Sequence, residues 1–402
     1  MTSRSRKTQP IFTDTIARAT QECIDRHIPF VAFMFPDDES LRFMASLPDD
    51  EGRSIPSAEA EHCFFISRFS GDEEYTAGIN AELNAEDILE LVSADPGLDF
   101  GSPEIYPSLY STNQLNYREG LTKIRSRIRK IGGKGVLSRI KSLFTTLSPI
   151  ESAELYFSAN PNAFRYLCYT HETDLWLGAT PELLLETDAT SGTVSTMAVA
   201  GTRPIDTPAE TDWDEKNVEE HLVVVDFIKD KLSSHSLAVE ASEVMELDTG
   251  DVTHLVTLIS GAGDDPDFPA IMHDLSPTPA VAGAPRDLAL TEIDVFETHR
   301  RHCYAGYIGL RTGDDYIAYV NLRCALGARA MLDGYEGFVW NLYAGGGIMG
   351  ASEVDSEWQE TELKMAPLYR CLTAEPRHAS EGKTFSTVNP VTARFTSNRL
   401  PF

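Results

Sequence analysis

Apolar residues recur along this chain with two distinct periods. Helical spacing predicts helices over 9–27, 117–131, 150–159, 212–232, 268–274 and 286–297, and a last one carrying Glu357, Glu360 and Lys364. Short β-branched and aromatic runs predict strands over 30–35, 63–69, 136–144, 163–169, 175–179, 183–187, 193–199, 244–247, 252–258, 304–310, 317–324 and 337–343. The acidic stretch 37–51 reads as a loop, and Gly132 and Gly133 stop the helix before them. Long strand-rich runs broken by single helices predict an α+β fold with large antiparallel sheets and flanking helices, not βαβ alternation. The last three strands lack helical crossovers and read as a meander.

Composition narrows the class. With 402 residues, 42% of them apolar, the chain can bury a substantial core. Its net charge of −28 argues against nucleic acid or an anionic membrane as partner, because both need clustered cations. No stretch approaches the apolar length needed to cross a bilayer, so the expectation is a soluble, cytoplasmic protein. Cys23, Cys63, Cys168, Cys303, Cys324 and Cys371 show no C-x-x-C pair and read as reduced thiols, and the histidines show no metal-binding spacing. Any metal is then a hard cation held by carboxylates. The one basic segment, 117–131, spreads its charges round a helix and reads as a solvated surface. The 376–402 tail is poor in aliphatic residues and reads as flexible.

Candidate chemistry concentrates at 341–364. Strand 337–343 is expected to end in Gly345, Gly346 and Gly347, whose bare backbone could offer N–H groups to an anion. Glu360 and Lys364, four apart, share a helix face; alone they would read as a solvated pair worth about 0.3–0.5 kcal/mol.

With upstream segments added, the pattern becomes specific. KGVLSR at 134–139, ATPELLLE at 179–186, MAVAGTRP at 197–204, KNVEEH at 216–221, DVTHL at 251–255, PTPAVAGAP at 277–285, LRCA at 322–325, and LYAGGGI with EWQETELK at the end occur in one order. Together they resemble the chorismate-utilising enzymes, the family of isochorismate, salicylate, anthranilate and aminodeoxychorismate synthases. The resemblance covers roughly 132–372. It implies a single domain of two pseudo-symmetric strand-rich halves. Residues 1–110 form its weakly matched N-terminal part, 111–375 the catalytic region and 376–402 a tail.

The resemblance also assigns roles. Glu220 and Glu360 correspond to the carboxylates that hold Mg2+ at the substrate's ring carboxylate, Glu182 to the general acid at the leaving C4 oxygen, and His254 to a histidine near that oxygen. Lys134 corresponds to the base that activates water for attack at C2, where amine-forming members usually carry glutamine. Arg323 and Lys364 correspond to cations at the substrate carboxylates. Thr202, Ala280, Tyr343 and Gly345 to Gly347 fall in substrate-binding motifs, and Arg203 and Glu219 lie near them. Lys134 and TPAVAG at 278–283 imply isochorismate synthase, serving menaquinone or siderophore biosynthesis without an obligatory glutaminase subunit, as a monomer or weak dimer. Salicylate synthase, an aminodeoxychorismate- or anthranilate-type subunit, and a silent chorismate-binding member are the alternatives. Ser276, His302, Cys303 and Asn321 depart from the common pattern at positions expected to bear on the ring.

Overall fold

The computed structural model describes residues 10–57, 59–69, 76–101 and 109–374; the 376–402 tail lies outside them. The chain begins with α1 (Asp14–Arg26), whose N-terminus is capped by the Thr13 hydroxyl accepting from the Ile16 amide. Next come β1 (Phe30–Met34), β2 (Arg42–Ala45), β3 (His62–Ser67), β4 (Thr76–Asn80), α2 (Ala85–Ala94) and α3 (Gln114–Ile131). The middle of the chain forms β5 (Lys134–Thr145), α4 (Pro149–Ala159), β6 (Phe164–Thr170), β7 (Asp174–Thr180), β8 (Leu183–Asp188), β9 (Thr193–Pro204) and α5 (Glu215–Ser234). It continues through β10 (Ala238–Ala241), β11 (Met245–Thr249), β12 (Val252–Ala262), α6 (Phe268–Leu275), β13 (Gly283–Ala284) and α7 (Arg286–Phe296). The chain closes with β14 (Tyr307–Thr312), β15 (Asp315–Val320), β16 (Cys324–Leu332), β17 (Tyr335–Ile348) and α8 (Val354–Leu372).

The strands form two antiparallel sheets, as the α+β reading predicts. The first runs β13-β5-β17-β16-β7-β6-β1-β2; the second runs β10-β12-β9-β8-β15-β14-β3-β4, with β11 also on β12. The sheets face one another across a core that draws on both. Phe33 packs against Phe64 at 6.4 Å between ring centroids, and Phe164 stacks on Tyr319 at 4.7 Å. The outer face of the first sheet, with Leu143, Leu177 and Trp340, is covered by α1, α4 and α8. Helix α3 buries Tyr117, Leu121, Ile124 and Ile128 against Leu137 and Ile348. None of the described helices is long and apolar enough to cross a membrane. The six cysteines carry no disulfide.

Several expectations are corrected. The 37–51 stretch is not all loop, since β2 pairs with β1 there, and β4, α2, β10 and β16 were not anticipated. The closing strands are not a meander. Strands β14 and β15 form a hairpin in the second sheet, whereas β16 and β17 form another in the first. Nor do the three glycines leave the sheet: Gly345, Gly346 and Gly347 stand opposite Ser138, Leu137 and Val136 of β5. The basic helix α3 is not simply solvated. Arg127 pairs with Glu292, Arg118 with Asp355, and Arg125 and Arg129 donate to the Ser352 and Gly350 carbonyls in the turn before α8.

Candidate active site

One cleft of about 680 Å³, its mouth included, opens where the two sheets, α5 and α8 meet. Glu182, Thr202, Glu220, His254, Ala280, Tyr304, Arg323, Tyr343, Gly345, Gly347 and Lys364 all line it, although they are scattered over residues 182–364. Gly346 does not; its Cα hydrogen faces Glu357 and Tyr117 on the opposite side of β17.

Each side chain is set by its element. Glu182 follows β7 just before β8, and its carbonyl accepts from the Val320 amide. Burial raises its carboxyl to about 8 against the pull of Lys134, Lys364 and Arg323, so at neutral pH it keeps its proton. His254 on β12 is buried. Arg323 donates to its Nε2 at 3.1 Å, so Nδ1 carries the proton and faces the Gly201 carbonyl at 3.2 Å and Thr202 Oγ1 at 3.1 Å. Burial, reinforced by Arg323 and Lys364, holds this imidazole well below its ordinary pKa and therefore neutral.

Arg323 occupies a left-handed backbone conformation, φ 50°, between β15 and β16. It donates to Thr249 Oγ1 at 2.9 Å, and among the described residues no carboxylate lies in ion-pair contact with it. An unpaired, desolvated guanidinium in a cleft is suited to an incoming carboxylate. Lys364 on α8 pairs with Glu360 at 2.6 Å and donates to the Gly345 carbonyl at 3.0 Å. That carbonyl therefore points away from β5, as do the Gly345 and Gly347 amides by strand alternation. The sheet thus leaves part of the expected backbone surface open to the cleft.

Lys134, at the start of β5, is fully buried behind the cleft wall. Its Nζ lies 3.1 Å from Glu220 Oε1, with no acceptor in hydrogen-bonding alignment among the described residues. Glu220 is possible there because position 347 is glycine: a Cβ at that site would sit 1.9 Å from Glu220 Oε1. Burial opposes the Glu220 charge, but Lys134 and Lys216 outweigh it and hold the carboxyl down near 2.

Two residues here were given no role by the sequence reading. Lys216 on α5 bridges Glu220 at 3.4 Å and Glu357 of α8 at 3.1 Å. Glu357 is 2% exposed, and among the described residues its Oε2 has no hydrogen-bond partner. Burial and the neighbouring Glu360 push its carboxyl upward. The available signal was spacing: Lys216 sits four residues before Glu220, and Glu357 three before Glu360, which puts each on its partner's helix face. Among the described residues no three acidic, histidine or cysteine side chains converge as a ready-made metal cage. The donors near the cleft are carboxylate oxygens, which suit a hard cation that keeps some of its water. Arg203 turns outward to Glu246 and stacks on Trp213, and Glu219 is exposed.

The chain is also similar to known proteins. The chain is 32% identical over 257 residues to isochorismate synthase MenF of Escherichia coli, across 60% of this chain and 56% of that protein. It is 29% identical over 278 residues to anthranilate synthase component 1 of Aeropyrum pernix, across 65% of this chain and 61% of that one. These matches span little more than half the length of either relative. The solved structure of E. coli MenF, the menaquinone-specific isochorismate synthase, shares the fold with a TM-score of 0.66 at 22% identity, over 86% of this chain and 88% of that one. The model of the chorismate binding enzyme family matches residues 45–370, and this chain belongs to that family.

Proposed function

We propose that the protein converts chorismate to isochorismate. Water adds at ring C2 and gives up a proton, the double bonds shift, and the C4 hydroxyl takes a proton and leaves as water. The single observation that supports this reading is a buried lysine amine behind the wall of the cleft that a protonated carboxyl lines. Lys134 is the base for the incoming water and Glu182, raised to about 8, the acid for the leaving hydroxyl. Arg323, free of a carboxylate partner, and Lys364 bind the substrate's carboxylates, while neutral His254 orients Arg323 and faces the leaving oxygen. Glu220 and Glu360 are the residues that would hold Mg2+, with Glu357 Oε2 as a further acceptor. When bound, Mg2+ neutralises ring-carboxylate charge that these glutamates would otherwise repel. Because Glu220 Oε1 also faces Lys134, a Glu220 that coordinates the ion no longer serves as counter-ion to that amine.

The likeness to E. coli MenF favours a role in menaquinone biosynthesis. The anthranilate synthase relative keeps a second reading open, with ammonia as nucleophile. The test is to supply chorismate with and without Mg2+ and ammonium and to identify products by chromatography and mass. Isochorismate without pyruvate, formed only with Mg2+, is expected. Salicylate plus pyruvate would move the protein to the lyase branch, an aminated ring product would favour the second reading, and no turnover would leave a silent binder.

A further inference from the structure

Two loops that line the cleft are held in unusual backbone conformations. Before β14, His302 and Ala305 have φ values of 51° and 63° on either side of Tyr304; before β16, Arg323 has φ 50°. Non-glycine residues persist in this region only where their surroundings over-determine them. The surroundings here converge on Asn321, which is fully buried. Its amide donates to the Gly306 carbonyl at 2.8 Å, and its carbonyl accepts from the Ala305 amide at 2.9 Å. Its side-chain Nδ2 donates to the Cys303 carbonyl at 2.9 Å, and its Oδ1 accepts from the Tyr166 hydroxyl at 2.5 Å. One neighbour, Val320, is tied to the Glu182 carbonyl through its amide and to the Thr180 hydroxyl through its own carbonyl. Two residues on, the Arg323 carbonyl accepts from the Tyr156 hydroxyl at 2.9 Å.

We infer that Asn321, oriented by Tyr166, is a positioning residue that locks the Tyr304 loop to the Arg323 loop and so places the guanidinium that receives a substrate carboxylate. The role rests on the proposed function only in naming chorismate as that substrate. Asn321 touches no part of the cleft itself. Its side chain reads out the Cys303 carbonyl, a contact that an apolar side chain of similar volume cannot make. Tyr166 stacks beside Phe164 and supplies the hydroxyl that fixes which end of the amide faces Cys303.

The test compares Asn321→Leu, Tyr166→Phe and the double variant with the parent by melting temperature, by chorismate binding in the presence of Mg2+, and by amide exchange across 303–306 and 320–323. Each single variant leaves a buried polar group unpaired and should melt lower. The double variant, with both side chains apolar, should recover much of that loss. A merely structural role would restore affinity together with melting temperature. A positioning role predicts instead that both variants lacking Asn321 bind chorismate at least about tenfold more weakly and exchange faster in the two loops, whatever their stability. Parent-like affinity and exchange in the double variant would overturn the inference. A parent protein that does not bind chorismate would overturn the functional reading alone, and the exchange result would then decide the role of Asn321.

Discussion

At the scale of single residues, buried titratable groups set the chemistry. Glu182 keeps a proton to about pH 8 because burial outweighs three nearby cations, so turnover should fall as pH rises through about 8. Glu182→Gln should be inactive at every pH, and a pH–rate profile of both proteins checks this. Lys134→Gln should lower isochorismate formation by about 10^2- to 10^4-fold; undiminished turnover would remove Lys134 from the role of base. Asp174 is a buried carboxyl outside the site, raised to about 7 by burial against the Leu175 amide. Since its folded pKa lies above the ordinary 3.8, its favourable contribution holds at low pH and is lost as pH climbs to about 7. Asp174→Asn keeps the left-handed backbone that asparagine tolerates, φ 66° here. It should therefore raise stability by more than about 1 kcal/mol at pH 8 and change little at about pH 4, near the ordinary carboxyl value, as thermal melts at the two pH values will report. The residue types at 134 and 182 were legible in the motifs, whereas Asp174 stood in none. Their ionisation states were not, because burial is a property of the packed chain.

At the scale of elements, the fate of the glycine run turns on β5. Twelve residues long, it reaches past the last β16 partner and pairs with β17 through Gly345, Gly346 and Gly347. Gly347→Ala would drive a Cβ into the Glu220 carboxylate. Displacing that side chain should weaken Mg2+ activation by about tenfold or more while the fold survives, and a Mg2+ titration of turnover against far-ultraviolet circular dichroism separates the two effects. Strand β16 was missed because its sequence, CALGARAML, is rich in alanine and low in β propensity. A usable signal stood beside it: Asp333 and Gly334, with φ 50° and 84°, form the tight turn into β17 that Asp-Gly favours. The arginines of α3 were misread for a different reason. A helical wheel shows charge spread round the helix, but not that carbonyls of the turn before α8 wait opposite Arg125 and Arg129.

At the scale of the whole molecule, a chain of charge −28 gathers Lys134, Lys216, Arg323 and Lys364 around one cleft. The outer field should slow the approach of a dianion, whereas the contacts inside are shielded from salt. Raising ionic strength from about 10 to about 100 mM should therefore increase kcat/KM for chorismate, since the screening length shrinks to about 10 Å. A decrease would mean that the cleft's own cations dominate at long range. By itself the sequence determined most element types and their order, because period and turn chemistry act over a few residues, and it carried the motif residues in family order. Only the tertiary structure decided which strand joins which sheet, and the chain enters each of the two sheets repeatedly. It also brought Glu182, Glu220, His254, Arg323 and Lys364 to one cleft, added Lys216 and Glu357 beside it, and turned Asn321 into the buried joint behind it. Strand pairing and burial join residues far apart in sequence, and no local pattern encodes which distant partner completes a ladder or removes a carboxyl from water.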